Sequence, residues 1–493
     1  RRQLLNNPQR TIRDKLTDAE SFRLIFLLTL SFEMIAFLDV VFLAFKCAVL
    51  TWGFFILIHN CFINKLAFKV KYGYLLFSFL AIMIITSIVH VSLWIIPNMV
   101  IMGYTAICFF MFFGMYIDTS YQNAERELVY VFKFFIFFGL IGGLASLCTL
   151  FLNNEFCFCG YYLGIYRNRL IGIYTNSNIL AFSMIEAIVA CDMLSSYHMR
   201  HKLKDAGISL WVIVATVITC CLCLFLSDSN ASFLFLILYS TIRVFCNLFF
   251  RSPSTGGVKF VKSVMITIAF CIIAMSLSFT FRSVCQRFIG GTITGVHKQE
   301  EMIKNFADGW NLNGSVVKLE SKEENEIKSV VDENDRKDEI PDLTIGRHEP
   351  YDVSSGRKYL FKQGVEIFKH HPVIGMGRAN LIKYSKKYMP GGLIHPDLHN
   401  GYLTILVCYG AVGFIIFALF SFLVAIDICK YMLLNFSIPN FGVITRLFSA
   451  LVAYCGYCMF EKAILFDMTF MVGFFWFILG VMMTYVYGER RNM

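Results

Sequence analysis

The sequence predicts an all-α integral membrane protein with about twelve transmembrane helices and one large extracytoplasmic loop that carries an amphipathic helix. Of its 493 residues, 57% are hydrophobic, 16% are charged and 52 are phenylalanines. This composition lies far outside that of soluble globular domains. Apolar runs of about 17 to 25 residues, the length that crosses a bilayer, recur along the whole chain.

Twelve apolar runs predict the spans. They cover residues 22–41, 43–62, 73–92, 95–117, 128–151, 174–195, 208–226, 231–250, 261–281, 400–426, 444–460 and 464–487. The first two runs are squeezed into some 40 residues and are the least well separated. The predicted units are an N-terminal membrane region, 1–281, an outer loop, 282–398, and a C-terminal membrane region, 399–493.

Charged residues orient these spans. Lys and Arg concentrate in the gaps at residues 65–71, 200–204 and 251–262 and in the C-terminal tail, and these gaps alternate with gaps poor in Lys and Arg. Cytoplasmic segments carry an excess of Lys and Arg, so both termini are expected in the cytoplasm. The net charge of +10 is therefore a membrane feature, and nucleic acid is excluded as a partner.

The outer loop divides into two parts. Residues 314–342 form a charge-dense acidic insertion with few aromatic residues, which is typical of a solvated segment. Residues 354–371 place Leu360, Gly364 and Ile367 at helical spacing ahead of a proline. This second part predicts an amphipathic helix that lies against the membrane region.

The sequence HPDLHN, residues 395–400, stands directly before the tenth apolar run. Pro396 disfavours helix before it and Asp397 is a suitable N-cap, so His399 and Asn400 are expected in the first helical turn. The positive end of the helix would keep the imidazole neutral and would attract phosphate. A neutral histidine beside an anion site can deprotonate an acceptor hydroxyl. Position alone also fits a histidine that only anchors the helix at the interface.

The four-residue spacing of His395 and His399 raises the question of a zinc site. Pro396 makes it difficult for both rings to share a helical turn, and no glutamate follows the first histidine as in metalloproteases. The sequence therefore predicts no metal and no cofactor.

Arginines recur on the segments expected outside. They are Arg167, Arg169, Arg282, Arg287, Arg357 and Arg378. The planar guanidinium suits a diphosphate, and several arginines on the face of His399 indicate an anionic, membrane-borne ligand. A turn at Gly375 and Gly377 is expected to expose backbone amides on the same side.

Three acidic residues, Glu33, Asp39 and Glu186, fall within apolar runs. Acids at membrane depth are candidates for a function in transport, although structural pairing is equally compatible with them. The other polar features concentrate on one face and not at the midplane, where transporters bind their substrates.

Three segments occur in order around the outer loop: RLIGIYTNSNILA (169–181), SGRKYLFKQGVEIFKHHPVIGMGRANL (355–381) and HNGYLTILVCYGAVG (399–413). Together they resemble the O-antigen ligase and surface polysaccharide polymerase superfamily. The resemblance implies a GT-C-like helical fold and a metal-independent, inverting membrane glycosyltransferase. It also implies an undecaprenyl-type polyprenyl-diphosphate-linked glycan donor, a glycan or glycolipid acceptor, and further polysaccharide-assembly proteins as partners. The expected location is the bacterial cytoplasmic (inner) membrane, as a multi-pass protein active at its outer face.

The resemblance also implies roles for residues. His399 would be the general base, Asn400 would orient the ring or the acceptor, and Arg169 and Arg357 would hold the leaving diphosphate. Further substrate-binding residues would be Arg167, Arg282, Asn176, Asn178, Gly375, Gly377 and Arg378. One departure is Asn230, which stands where members often have an arginine, so that Arg167 or Arg282 would replace that contact.

Polymerisation of lipid-linked repeat units is the function expected from this resemblance. The alternatives are a ligase that transfers the finished glycan to lipid A core or another acceptor, and a transporter or flippase that uses the intramembrane acids. An acyltransferase with His399 at its centre is a third alternative, but the outward arginines suit a diphosphate better than a thioester.

Overall fold

A computed structural model of the chain describes residues 18–90, 95–151, 157–158, 160–166, 168–196, 208–251, 256–308, 357–389, 392–393, 397–466 and 468–488. Within these residues, fourteen α-helices and four short strands occur. The first seven helices are α1 Ala19–Phe32, α2 Asp39–Ile58, α3 Gly73–Val89, α4 Ile95–Ile107, α5 Tyr121–Cys148, α6 Ser177–Leu194 and α7 Leu210–Ser227. The remaining helices are α8 Asn230–Arg251, α9 Gly256–Asp308, α10 Arg357–His370, α11 Leu381–Tyr388, α12 Gly401–Leu434, α13 Phe441–Tyr457 and α14 Phe470–Gly488.

The prediction of an all-α membrane protein is confirmed. Nine helical segments in the described part of the chain are long and apolar enough to cross a membrane. Helices α3 and α13 are shorter and apolar, and the 14-residue α1 lies over the first predicted run. The count of twelve crossings and the orientation of the termini stay predictions.

Helix α14 forms the centre of the bundle. Its side chains from Phe470 to Val486 are almost all buried, and the fully buried Trp476 ring contacts Phe109 edge to face at 5.0 Å. Helix α9 lies at the opposite extreme, because only 6% of its apolar window is buried inside the protein. Its exposed apolar surface is the surface expected to face lipid.

Helix α9 also differs from the sequence prediction in length. The ninth span was predicted to end at residue 281, but the helix continues without interruption to Asp308. The beginning of the predicted outer loop is therefore helical. The acidic insertion 314–342 lies outside the described residues.

Two short antiparallel hairpins follow α5. Strands β1 Cys157–Phe158 and β2 Tyr161–Tyr162 form the first, and β3 Gly164–Tyr166 and β4 Arg169–Gly172 form the second. A backbone bridge between Ile35 and Tyr174 ties the segment after β4 to the connection between α1 and α2. We call this end of the bundle, where α5 ends and α6 and α12 begin, the site end.

The predicted amphipathic helix is α10. It buries Leu360, Gly364 and Ile367, and the missing side chain of Gly364 lets the helix approach Leu398 and Leu403 at the start of α12. A Cβ atom at Gly364 would lie 2.8 Å from the Leu403 side chain. The glycine therefore fixes how closely α10 packs on the N-terminal turns of α12.

Helix α12 is interrupted at Gly410, which has φ 66° and ψ −173°. The segment after α10 fills the break: the amide of Ala411 donates to the carbonyl of Pro372 at 2.8 Å, and the amide of Gly377 donates to the carbonyl of Cys408 at 2.8 Å. Backbone groups that the break would leave unpaired in the membrane are thereby satisfied. We call residues 372–377 the clamp segment.

Gly375 is the most constrained residue of the clamp segment. Its φ is +68°, and a Cβ atom there would lie 2.3 Å from the carbonyl carbon of Cys408. Gly375→Ala should lower the free energy of unfolding by about 2 kcal/mol or more, because left-handed backbone and overpacking each cost about 1 kcal/mol or more. Thermal unfolding of the purified protein in detergent measures the effect.

The matched control is Gly257→Ala, since a Cβ atom at Gly257 meets no atom within 4 Å. It should leave the unfolding midpoint unchanged. Equal midpoints for the two variants would contradict the role of Gly375 as a clamp.

Candidate functional site

A cavity of about 680 Å³ opens at the site end of the bundle. Its volume lies in the range of ligand-binding pockets. The walls come from the two hairpins, the start of α6, the residues before α12 and the residues between α13 and α14. The side chains on which the chemistry depends are Tyr161, Tyr162, Tyr166, Arg169, Asn176, Asn178, Asp397, His399, Glu461 and Lys462.

Glu461 connects α10, the start of α6 and the residues before α12. Its Oε1 accepts hydrogen bonds from Arg357 Nη2 at 2.7 Å and from Asn178 Nδ2 at 3.1 Å, and its Oε2 lies 3.0 Å from His399 Nδ1. The Glu461 side chain is only 12% exposed. A buried carboxylate is stable only when it is paired with a cation and hydrogen-bonded. Arg357, Asn178 and His399 are the partners that meet this requirement.

His399 lies outside α12, one residue before its N-cap, and not in the first helical turn. Its φ is +45°, outside the helix, and its amide lies 3.3 Å from Asp397 Oδ1. Asn400 is the N-cap of α12, and its side chain accepts from the amide of Leu403 at 2.9 Å. The prediction that Asp397 caps the helix and that His399 and Asn400 form its first turn is therefore wrong. Asn400 lies outside the pocket lining and shapes the backbone that presents His399.

The pKa of His399 also differs from the expectation. Burial lowers the pKa of the imidazole, but the hydrogen bond and the charge of Glu461, with the charge of Asp397, outweigh burial and raise the pKa above 6.5. A positive helix end was expected to lower this pKa, whereas a specific carboxylate 3.0 Å from Nδ1 raises it. Since an ionised Glu461 can only accept, Nδ1 is the donor, and Nε2 carries the lone pair of the neutral ring.

Arg169 lies on β4 and lines the cavity. Its Nε donates to the carbonyl of Ser227 at 2.8 Å and its Nη2 donates to Asn178 Oδ1 at 2.9 Å. Asn178 thus connects Arg169 to Glu461, and the neighbouring Asn176 is the N-cap of α6. Arg357 lies behind Glu461 and does not itself line the cavity.

Arg282 lies at the turn that contains Asn230. Its Nη1 donates to Asn230 Oδ1 at 2.9 Å, and it also forms an ion pair with Asp228. Arg282, which was expected to replace the missing arginine, is therefore adjacent to Asn230. It lies outside the cavity lining. Arg167, the other candidate, lies outside the described residues.

The glycine turn does not present free amides. The amide of Gly375 donates to the carbonyl of His371 at 3.1 Å and that of Gly377 donates to Cys408 at 2.8 Å. The expectation of exposed amides is wrong, because the Gly377 amide binds α12 at its break and the Gly375 amide bonds back to the residues after α10. The positive charge of Arg378, the next residue, lowers the pKa of Asp397.

Asp397 and Lys462 form an ion pair of 2.7 Å at the edge of the cavity. Burial raises the pKa of Asp397, but the charges of Lys462 and Arg378 outweigh burial and hold it below the usual value. The carboxylate is therefore ionised at neutral pH and accepts from the His399 amide. This second buried ion pair holds in place the backbone segment that carries His399.

The intramembrane acids are paired with side chains of the protein. Glu33 forms an ion pair with Lys46, Asp39 accepts from the Tyr161 hydroxyl at 3.0 Å, and Glu186 accepts from the Tyr454 hydroxyl at 2.7 Å. These contacts favour the structural reading of the acids over transport. His395, the other half of the proposed zinc pair, lies outside the described residues.

Sequence reasoning missed Glu461 and Lys462. They stand in the gap between the last two apolar runs, at residues 461–463, on the side predicted to be outside. Two charged residues in so short a gap between spans were a usable signal. Their pairing with His399 and Asp397, more than 60 positions away, was not visible in any local pattern.

Replacing Glu461 tests its control of His399. Glu461→Gln keeps the size of the side chain but removes the charge that stabilises the imidazolium, so the pKa of His399 should fall. Histidine-detected NMR titration, with the resonance assigned by His399→Ala, measures it. The control is Glu366→Gln, which removes an exposed carboxylate paired with Lys369. It should leave the titration midpoint of His399 unchanged. An unchanged midpoint in Glu461→Gln would contradict the pairing.

Comparison with known proteins gives one match. Residues 215–418 match the family model described as O-Antigen ligase. No curated protein and no solved structure shows a significant match. The matched residues run from α7 into α12 and include Arg282, Arg357 and His399. They cover the second and third of the three sequence segments that carry the resemblance, while the first segment, 169–181, lies outside the match. The match of this domain supports the resemblance of the chain to the O-antigen ligase and polymerase superfamily.

Proposed function

We propose that the protein polymerises lipid-diphosphate-linked oligosaccharide repeat units of a cell-surface polysaccharide at the outer face of the cytoplasmic membrane. The observation that carries the proposal is the pairing of His399 with Glu461 in the same cavity as Arg169. In this arrangement His399 is a base for the acceptor hydroxyl, and Arg169 is a cation for the leaving diphosphate. The reaction is inverting and metal-independent in this proposal.

The chemistry is a single displacement. His399 Nε2 takes the proton of the acceptor hydroxyl while its oxygen attacks the anomeric carbon of the donor glycan. The bond between that carbon and the diphosphate oxygen breaks, and the polyprenyl diphosphate leaves with the electron pair. Attack from the face opposite the leaving group inverts the anomeric centre.

Glu461 makes the proton transfer favourable. As His399 becomes positive, the carboxylate 3.0 Å from Nδ1 stabilises the imidazolium and holds the tautomer that leaves Nε2 basic. Its second oxygen remains bonded to Arg357 and Asn178, which hold the carboxylate in place. Rotation of the His399 ring would therefore break the hydrogen bond to a fixed acceptor. Glu461 is therefore a positioning residue for His399.

The charges around the cavity favour an anionic ligand. Among the described residues, Arg169 and Lys462 line the cavity together with Glu461 and Asp397, and two further cations, Arg357 and Arg378, act on these carboxylates from outside the lining. With a neutral His399 the sum is an excess of two positive charges. A diphosphate that gains charge as it leaves would be stabilised by this excess, most directly by Arg169, which lines the cavity.

The donor in this proposal is a polyprenyl-diphosphate-linked glycan. The site end of the bundle then faces outward, with both termini in the cytoplasm, as the Lys and Arg distribution predicts.

A ligase is the second candidate, since the matched family model is described as O-Antigen ligase and the match does not distinguish the two functions. The same base and diphosphate residues would serve, and the acceptor would be lipid A core or another molecule. Purified protein with synthetic diphosphate-linked repeats separates the two: a product ladder without any second acceptor is expected for the polymerase. Product that forms only with core glycolipid would contradict polymerisation and support the ligase.

His399→Ala should reduce glycan elongation by at least about a hundredfold, the usual contribution of a general base. Lipid-linked repeats should accumulate on the outer side of the membrane in cells that carry the variant. Gel analysis of the polysaccharide and labelling of lipid-linked repeats measure both effects. The matched control is His59→Ala, at the other end of the bundle, which should leave elongation unchanged.

Two outcomes would contradict the assignment. Elongation that survives in His399→Ala removes His399 as the base. Repeats that are trapped on the inner side would support the transporter or flippase alternative.

A further inference from the structure

Two tyrosines form an aromatic pair on one wall of the cavity. The rings of Tyr162, on β2, and Tyr166, on β3, stack with their centroids 4.9 Å apart and their planes 23° from parallel. Tyr162 is 46% exposed and Tyr166 is 36% exposed, although both line the cavity. The proposed base and diphosphate residues make no use of them.

The pair adjoins the diphosphate arginine. Tyr166 and Arg169 are register partners across the β3–β4 hairpin, so their side chains lie on the same face of the two strands. Both side chains line the same cavity. A group held against Tyr166 is therefore a close neighbour of a group held by Arg169.

The hairpins are fixed to the bundle before any ligand binds. Tyr161, beside Tyr162, donates its hydroxyl to Asp39 at 3.0 Å, and the Ile173 amide donates to Ser146 Oγ at 3.3 Å. Gly172, at the end of β4, packs so closely on Ser146 that a Cβ atom would lie 2.2 Å from that side chain. The aromatic pair is thus a preorganised surface, which reduces the entropy lost on binding.

We propose that Tyr162 and Tyr166 form a stacking subsite for a sugar ring of the lipid-linked donor, next to the diphosphate at Arg169. This inference rests on the proposed function and adds the donor subsite to it. The C–H face of a pyranose carries partial positive charge and matches the negative face of an aromatic ring, while tyrosine hydroxyls can bond to sugar hydroxyls.

The surroundings favour a sugar over membrane lipid. Tyrosines of the membrane interface anchor to lipid from the outer surface of a bundle. Tyr162 and Tyr166 instead share a cavity with Thr175, Asn176 and Asn178, whose polar groups suit hydroxyls and not acyl chains. Phe158, on β1, is 48% exposed but is absent from the cavity lining, and it provides the comparison for an interfacial aromatic residue.

The test is steady-state transfer by purified protein with a synthetic polyprenyl-diphosphate-linked repeat as donor. The double variant Tyr162→Ala/Tyr166→Ala should raise KM for the donor about tenfold, because stacking contacts of two rings are lost. KM for the acceptor and kcat should change little. The conservative variant Tyr162→Phe/Tyr166→Phe should restore most of the donor affinity, since it keeps both aromatic faces.

The matched control is Phe158→Ala, which should leave donor KM unchanged. An equal rise in donor KM for Phe158→Ala would assign the tyrosines to anchoring at the membrane and overturn the subsite. A rise confined to acceptor KM, or no change in either KM while the unaltered protein is active, would also overturn it. Absence of transfer by the unaltered protein would instead reject the proposed function. In that case, binding of the donor to the His399→Ala protein in nanodiscs still tests the subsite: equal affinity with and without the tyrosines overturns it.

Discussion

The site depends on one buried carboxylate. Glu461, in the connection between α13 and α14, binds the first residue of α10, the first turn of α6 and the residue that precedes the cap of α12. Three segments that are distant in sequence converge on its two oxygens. Removal of any one partner would leave charge or hydrogen-bonding capacity unsatisfied in a place with little water. The position of His399 therefore follows from electrostatic pairing more than from the helix that comes after it.

Much of the fold was predictable because membrane helices obey local rules. Apolar length predicted the helices, and the spacing of Leu360, Gly364 and Ile367 predicted α10 and the face with which it packs. The cap of α12 was assigned incorrectly because Asp397 and Asn400 are both good capping residues, and only the ion pair of Asp397 with Lys462 decides between them. Long-range pairs of this kind leave no periodic pattern, so Glu461 and Lys462 were missed.

The role of a buried acid in this protein depends on the side chains that it contacts. Glu33, Asp39 and Glu186 lie in apolar runs and attracted a transport interpretation, but each is bonded to a side chain of another element. Glu461 lies between spans and attracted none, yet it contacts a histidine, an arginine and an asparagine at a cavity. For acids near a membrane, the number and kind of partners is thus more informative than depth.

The break at Gly410 has a mechanical consequence. A continuous 34-residue helix would be roughly 51 Å long, well beyond the hydrocarbon thickness of a bilayer. Because of the break, His399 precedes a short helical segment of about ten residues, Gly401 to Gly410. The clamp segment binds the end of this short helical segment through backbone hydrogen bonds. Contacts with α10 at Gly364 and backbone hydrogen bonds with the clamp segment therefore hold this short helical segment in place. The placement of His399 thus depends on the packing of α10 and on the clamp segment, and not on the long part of α12 that follows Gly410.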